Sequence, residues 1–160
     1  TNICDKLVAT ESDTGSWKDN ALLLGAFINF ANEDHSGNPA TDGAWVAELM
    51  SDYVFGGWGI TTMYEKSGRT PSSFSCDFPL TNANVVSQWS ANDYGVVAWT
   101  AHGSYDAAWR KYWGWDDGDK VPESNEMVWD TLFATADVPS LDDAHPSIVY
   151  SATCENGHPQ

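Results

Sequence analysis

Two residues of this chain, His102 and Cys154, have side chains suited to nucleophilic catalysis, and each comes just after an apolar run. His102 directly follows the apolar run GVVAWTA, and Cys154 follows the run SIVYSA after one intervening threonine. An imidazole beside a thiol can take its proton to form a thiolate nucleophile, and the imidazolium can then protonate a leaving amine. The pair therefore indicates cysteine nucleophilic catalysis.

The fold has to bring His102 and Cys154 together, because they are 52 positions apart in the sequence. Gly103 follows His102 and leaves its N–H open to a substrate oxygen, so this N–H and that of Cys154 can form an oxyanion hole. The alternative is structural: a single buried cysteine is often a small core residue, and a single histidine often has no part in catalysis.

Strand-like segments place these two residues. Continuous apolar or β-branched runs are typical of strands buried on both faces. They predict strands over residues 21–30, 60–64, 94–101 and 147–152.

Helix-like segments separate the predicted strands. Apolar residues at helical spacing predict a helix capped by Thr41 or Asp42, and another over residues 81–91. The segment 102–123 is aromatic, glycine-rich and acidic, which predicts a long loop. A third helix is predicted after Ser124, with an apolar face formed by Met127, Val128, Leu132 and Phe133.

The order β-α-β-α-β-α-β predicts an α/β fold with a mostly parallel sheet flanked by helices. In such sheets, functional groups lie just beyond the carboxyl ends of the strands. His102 and Cys154 both follow predicted strands, so they will lie side by side if those two strands are neighbours.

The blocks VVAWTAHGS and HPSIVYSATCENG resemble the gingipain-like cysteine peptidases, a group with the caspase/haemoglobinase fold. The shared pattern is a hydrophobic strand ending in His-Gly, then a Pro-led strand ending in Cys-x-Asn-Gly. The run ALLLGAFINF and the lead-in CDKLVATES are also similar to the first part of that family, so the resemblance covers nearly the whole chain. The residue before Cys154 and the longer loop after His102 depart from the family's pattern.

The resemblance implies catalytic roles for residues at matching positions. His102 would be the general acid and base, Cys154 the nucleophile, and the Gly103 and Cys154 amides the oxyanion hole. The family also has a carboxylate after the first strand that orients the histidine, and Glu33 is the candidate, with Asp34 next to it. The alternative for both acidic residues is a solvated loop.

The resemblance also implies how substrate is bound. Arginine-cleaving members have an acidic residue at the start of the first helix, at the bottom of the pocket for P1, the residue before the scissile bond. Asp42 matches that place and could accept a guanidinium, whereas the plain alternative is a helix N-cap. Trp109, in the longer loop, is expected to line the substrate cleft or simply to pack the loop down.

The resemblance further implies that residues 1–160 are the N-terminal part of one caspase-like peptidase domain. The remaining strands and helices are expected after Gln160, in the same chain or in a small-subunit chain. A peptide or protein is the expected substrate, and no cofactor is required.

Composition narrows the partners of the chain. It has 7 Lys and Arg against 23 Asp and Glu, for a net charge of −16, which argues against nucleic acid as a ligand. No apolar run reaches the roughly 20 residues of a membrane-spanning helix. A secreted or cell-surface setting is expected, and Asp116, Asp117 and Asp119 have the oxygen density of a structural calcium loop. The acidic surface can equally serve solubility alone.

Two functions from different classes follow. The first is a cysteine endopeptidase with a Cys-His dyad that cleaves after basic residues, Arg or also Lys. The alternative is a catalytically inactive peptidase-like or glycan-binding module of a larger surface protein. A glycosidase ranks lower, because no feature singles out a pair of carboxylates.

Overall fold

The computed structural model describes residues 3–141 and 144–154 of the chain. Within them, a central sheet is built from five strands, and every neighbouring pair is parallel. In spatial order the strands are β10 (Ile148–Ala152), β6 (Val96–Thr100), β1 (Asn20–Gly25), β4 (Gly59–Tyr64) and β5 (Phe78–Pro79). The predicted α/β architecture with a parallel sheet is therefore confirmed.

The buried residues of β1 divide between the two faces of the sheet, as the alternation of side chains along a strand requires. Ala21 and Leu23 pack on one face with the helix α2 (Gly43–Tyr53). Leu22 and Leu24 pack on the other face, in a cluster that includes Val85 of the helix α3 (Asn82–Ala91). Strand β1 is thus covered on both sides, which explains its continuous apolar sequence.

The start of α2 lies tightly against the carboxyl end of β1. Asp42 caps the helix, since its Oδ1 accepts a hydrogen bond from Ala44 N at 2.9 Å. A β-carbon on Gly25 would lie 2.3 Å from Ala44 N, so only glycine fits at this end of the strand. This contact fixes the position of Asp42 relative to the sheet edge.

The apolar run 21–30 forms two strands instead of one. Ala26 interrupts it: its N–H donates to Thr100 O at 3.0 Å, and its carbonyl accepts from Gly43 N at 2.9 Å. The chain then continues as β2 (Phe27–Asn29), which pairs antiparallel with β3 (Thr41–Asp42) in a small separate sheet. The apolar run continues through Ala26, so the hydrophobic pattern alone could not show where the chain leaves the central sheet and enters the small one.

The region after His102 differs most from the prediction. It forms a three-stranded antiparallel sheet of β7 (His102–Gly103), β8 (Ala107–Trp113) and β9 (Met127–Ala134). The predicted loop 102–123 and the predicted helix after Ser124 were therefore wrong. Ser124 begins only a short 3-10 turn, Ser124–Glu126, after which the sequence MVWDTLFA is rich in the β-branched and aromatic residues that favour strands.

One further helix, α1 (Ile3–Ser12), precedes the sheet and buries none of its side chains. Among residues 3–141 and 144–154, no helix has both the length and the apolar character needed to cross a bilayer.

Replacing Gly25 with alanine should lower the free energy of unfolding by about 1–3 kcal/mol, because the added β-carbon would collide with the start of α2. Urea denaturation measures the change. The matched control is Gly56→Ala, where a β-carbon would meet no atom within 4 Å. The control should change stability by less than about 0.5 kcal/mol, and equal losses in the two variants would contradict the packing described.

Candidate active site

The two strands that precede His102 and Cys154 are neighbours in the central sheet. β6 and β10 run parallel, with Thr100 paired to Ala152, and Ala101 N donates to Ala152 O at 3.3 Å. Beyond this pair, the chain that leaves β6 reaches His102 after two residues, and the chain that leaves β10 reaches Cys154 after two residues. The expectation that the strands would be adjacent is confirmed, and the side chain of Cys154 is exposed at this edge.

Gly103 packs directly against the segment that carries Cys154. A β-carbon on Gly103 would lie 2.3 Å from Cys154 O and 2.8 Å from Thr153 Cβ. The backbones of Gly103 and Cys154 are therefore in contact, with no room for a larger residue between them. Asn156 and Gly157 of the Cys-x-Asn-Gly motif lie outside the described residues.

The His102 ring is held by a backbone carbonyl. Its Nε2 lies 3.0 Å from Ile28 O. A carbonyl oxygen only accepts hydrogen bonds, so Nε2 must carry the proton in this contact. Trp129 packs edge-on against the same ring, with the ring centroids 4.7 Å apart. The imidazole is thus fixed from two sides.

The surroundings of His102 favour its neutral form. Burial and the positive charge of Lys111 lower the pKa of His102 below its ordinary value. The backbone hydrogen bonds to Ile28 and Phe27 and the negative charge of Glu33 raise the pKa of His102, but together they are weaker. A neutral imidazole is the form that can accept a proton, so the ring is set as a base.

Glu33 binds a lysine. Lys111 Nζ donates to the Glu33 carboxylate oxygens at 2.6 and 2.9 Å, and Phe30 N donates to Glu33 Oε2 at 2.7 Å. The His102 ring has hydrogen bonds to the backbone of Ile28 and Phe27, and Glu33 acts on the imidazole through its charge. Direct orientation of the ring by Glu33 stays a prediction. Asp34 points elsewhere and accepts from Ser124 N at 2.8 Å.

Asp42 lines a cavity beside the end of β1. The cavity has a volume of about 420 Å³, and its walls include the aromatic rings of Phe27, Phe74 and Trp113. Lys120 is the basic residue among the lining residues. Asp42 therefore has the N-cap role of the plain interpretation and also lines this cavity, and its role in binding a P1 side chain stays a prediction.

Strand β8 places two of its side chains near His102. Trp109 is the cross-strand partner of His102, and its Nε1 donates to Ser104 Oγ at 3.0 Å. Lys111 is buried. Nothing in its sequence context singles it out, because a lysine in a predicted loop is expected to be solvated. Trp129 is likewise not singled out by its sequence context, because the spacing of the apolar residues around it predicts a helix, whereas it lies in β9.

In the acidic loop at residues 116–119, the carboxylates accept hydrogen bonds from nearby backbone N–H groups. Carboxylate oxygens of Asp116, Asp117 and Asp119 lie within 4.8 Å of one another. Asp116 Oδ1 accepts from Gly118 N at 2.9 Å, and this hydrogen bond lowers the pKa of Asp116. Asp119 Oδ1 accepts from Val121 N at 2.8 Å. Carboxylates are suitable calcium ligands, and calcium binding by these residues stays a prediction.

Comparison with protein families agrees with the geometry. The description Peptidase family C25 matches over residues 1–160, the whole length of the chain. Comparisons with curated proteins and with solved structures gave no match. The sequence motifs, the parallel sheet and the family match lead to one conclusion: the chain belongs to peptidase family C25, the gingipain family of cysteine peptidases, with a caspase-haemoglobinase-like fold.

Proposed function

We propose that the protein is a cysteine endopeptidase in which Cys154 is the nucleophile and His102 the general acid and base. The observation that carries the proposal is the parallel pairing of β6 with β10, in which Thr100 is paired with Ala152 and each proposed catalytic residue follows two positions later. Membership of a cysteine peptidase family supports the reaction class, and the residue roles are our own inference.

The contact of Nε2 with Ile28 assigns the proton transfers within the ring. Nε2–H donates to the carbonyl, so the lone pair of the neutral ring is on Nδ1. Nδ1 takes the proton of the Cys154 thiol, and the sulfur attacks the carbonyl carbon of the scissile peptide bond. The backbone N–H groups of Gly103 and Cys154 stabilise the oxyanion that forms.

Collapse of this tetrahedral intermediate breaks the C–N bond. The His102 imidazolium gives its proton to the leaving amine, and a thioester links the acyl group to Cys154. Water then attacks the thioester carbonyl while His102 accepts a proton from it. The acid product departs, and the proton returns to the sulfur, so the enzyme is regenerated.

Asp42 supports a preference for arginine, with lysine as the second choice, at P1. Its carboxylate borders the 420 Å³ cavity, whose aromatic walls suit the apolar part of a long basic side chain. A guanidinium can approach a carboxylate through a charge-assisted hydrogen bond. The net charge of −16 would also attract basic substrates.

The exposed side chains of the edge strand β10 favour a further segment that packs against it. Ile148, Val149 and Tyr150 of β10 are exposed, although a parallel strand is normally covered on both faces. A cavity of about 360 Å³ adjoins this edge, and the indole N–H of Trp99, which lines it, has no hydrogen-bond partner among the described residues. We therefore expect more of the peptidase domain, in the same chain or in a small subunit, to cover β10.

Location outside the cell also belongs to this proposal. Members of the family are typically secreted or surface-associated. An acidic chain is consistent with such a setting, where a peptidase would meet protein substrates.

Cys154→Ala and His102→Ala should each lower kcat/KM on Arg-containing peptides by about a thousandfold or more, because each removes one half of a group that acts as a unit. The double variant should be no worse than either single one. Cys4→Ser, on the exposed face of α1, is the control and should leave hydrolysis unchanged.

Unchanged hydrolysis in both single variants would overturn the dyad. A wild-type chain that hydrolyses none of these peptides would instead fit the alternative of a catalytically inactive peptidase-like or glycan-binding module, for which exposed aromatic residues such as Tyr105 and Trp115 are the favouring feature. A glycan array would test that function.

Asp42→Asn should lower kcat/KM for P1 Arg by about a hundredfold while leaving uncharged P1 residues nearly unaffected. Asparagine can still accept the N-cap hydrogen bond, so the helix keeps its cap while the charge is lost. The readout is the ratio of kcat/KM for peptides that differ only at P1. An equal loss for every P1 residue would show that Asp42 has only a structural role.

A further inference from the structure

We propose that Trp129, assisted by Trp109, forms a subsite for a large apolar or aromatic side chain at P1′, the substrate residue after the scissile bond. This inference rests on the proposed peptidase function and adds a substrate preference on the leaving-group side. The resemblance that implied the other site residues did not include Trp129.

The strand register brings three rings to one face of the antiparallel sheet. His102 pairs with Trp109 across β7 and β8, so their side chains point to the same face. Trp129 pairs with Lys111, which is two residues along β8 from Trp109 and therefore on that face as well. The ring centroids of Trp129 and His102 are 4.7 Å apart.

Trp129 has Lys111 packed against one side of its ring, and about half of its surface is exposed to solvent. Lys111 Nζ lies 5.6 Å from the Trp129 ring centroid and is itself held by Glu33. Nevertheless, 49% of the Trp129 surface is exposed, which is unusual for an indole so close to a half-buried histidine. The indole is thus a fixed apolar surface that nothing among the described residues fully covers.

The chemistry of the reaction decides which part of the substrate meets this surface. His102 must protonate the leaving amine, so the residue that bears this amine lies against the imidazole. That residue is P1′, and the neighbouring indole of Trp129 is within reach of its side chain. Since the Lys111 charge is neutralised by Glu33, the subsite favours apolar and aromatic groups over charged ones.

The test uses internally quenched peptides with Arg at P1 and with Phe, Leu, Gly or Asp at P1′, together with an ethyl ester of the same acyl sequence. In the full chain, kcat/KM for Phe or Leu at P1′ should exceed that for Gly by about tenfold. Trp129→Ala should reduce this ratio to about one, and Trp129→Phe should retain most of it. Trp115→Ala is the matched control, because Trp115 is also 49% exposed but lies after β8, and it should keep the ratio.

A purely structural role gives a different result. If Trp129 only holds the His102 ring, Trp129→Ala will slow every peptide and the ester equally, with the P1′ ratio unchanged, and the subsite is overturned. A wild-type chain without a preference for Phe or Leu at P1′ overturns it as well.

Binding measured without turnover separates this inference from the proposed function. In the Cys154→Ala variant, calorimetry should show the P1′ Phe peptide binding about tenfold more tightly than the Gly peptide, and adding Trp129→Ala should remove the difference. Absence of hydrolysis in the wild-type chain would refute the peptidase function, whereas equal binding of the two peptides would refute the subsite.

Discussion

The parallel pairing of β6 with β10 is the constraint on which the rest of the site depends. It pairs Thr100 with Ala152, each two residues before His102 and Cys154, although those two residues are 52 positions apart in the chain. The lack of a side chain on Gly103 then allows the two segments beyond the strands to touch, with Cys154 O placed where a β-carbon would otherwise be. A shift of register by one residue would turn the side chains of one strand to the opposite face of the sheet.

Two buried cations on β8 attach the antiparallel sheet to this edge. Arg110 Nη1 donates to both carboxylate oxygens of Glu65 at 2.8 Å, immediately after the end of β4. Lys111 makes the corresponding contact with Glu33, after β2. Removing one member of a buried ion pair typically costs about 3–5 kcal/mol, because the other charge is left without compensation. These pairs therefore fix where the antiparallel sheet lies and hold Trp109 and Trp129 beside His102.

The sequence was sufficient for four of the five strands of the central sheet, whereas the two-residue strand β5 (Phe78–Pro79) was not predicted. Apolar runs with turn residues between them located β1, β4, β6 and β10, because strands covered on both faces need continuous apolar sequence. His102 and Cys154 could be singled out as candidates because functional groups in parallel sheets lie just beyond the carboxyl ends of the strands.

The sequence was not sufficient for the region between them. Strand β8 bears two charges, those of Arg110 and Lys111, that look solvated until their partners are known, and those partners, Glu65 and Glu33, come from distant parts of the chain. The His102 ring shows the same difficulty. The backbone carbonyl of Ile28 holds this ring, and every residue has a backbone carbonyl, so the type of the residue does not show which one will accept the hydrogen bond. A carboxylate that could hold the ring can be listed from the sequence as a candidate, whereas a main-chain acceptor cannot.

The most direct test of the dyad is the rate at which iodoacetamide alkylates Cys154 at pH 6, in a chain with Cys4→Ser and Cys76→Ala so that one thiol is followed. An imidazole that takes the thiol proton makes the sulfur reactive at a pH where an isolated cysteine is mostly protonated. The wild-type histidine should therefore give a rate at least about tenfold higher than His102→Ala. Equal rates in the two chains would show that His102 does not act on Cys154 and would contradict the dyad.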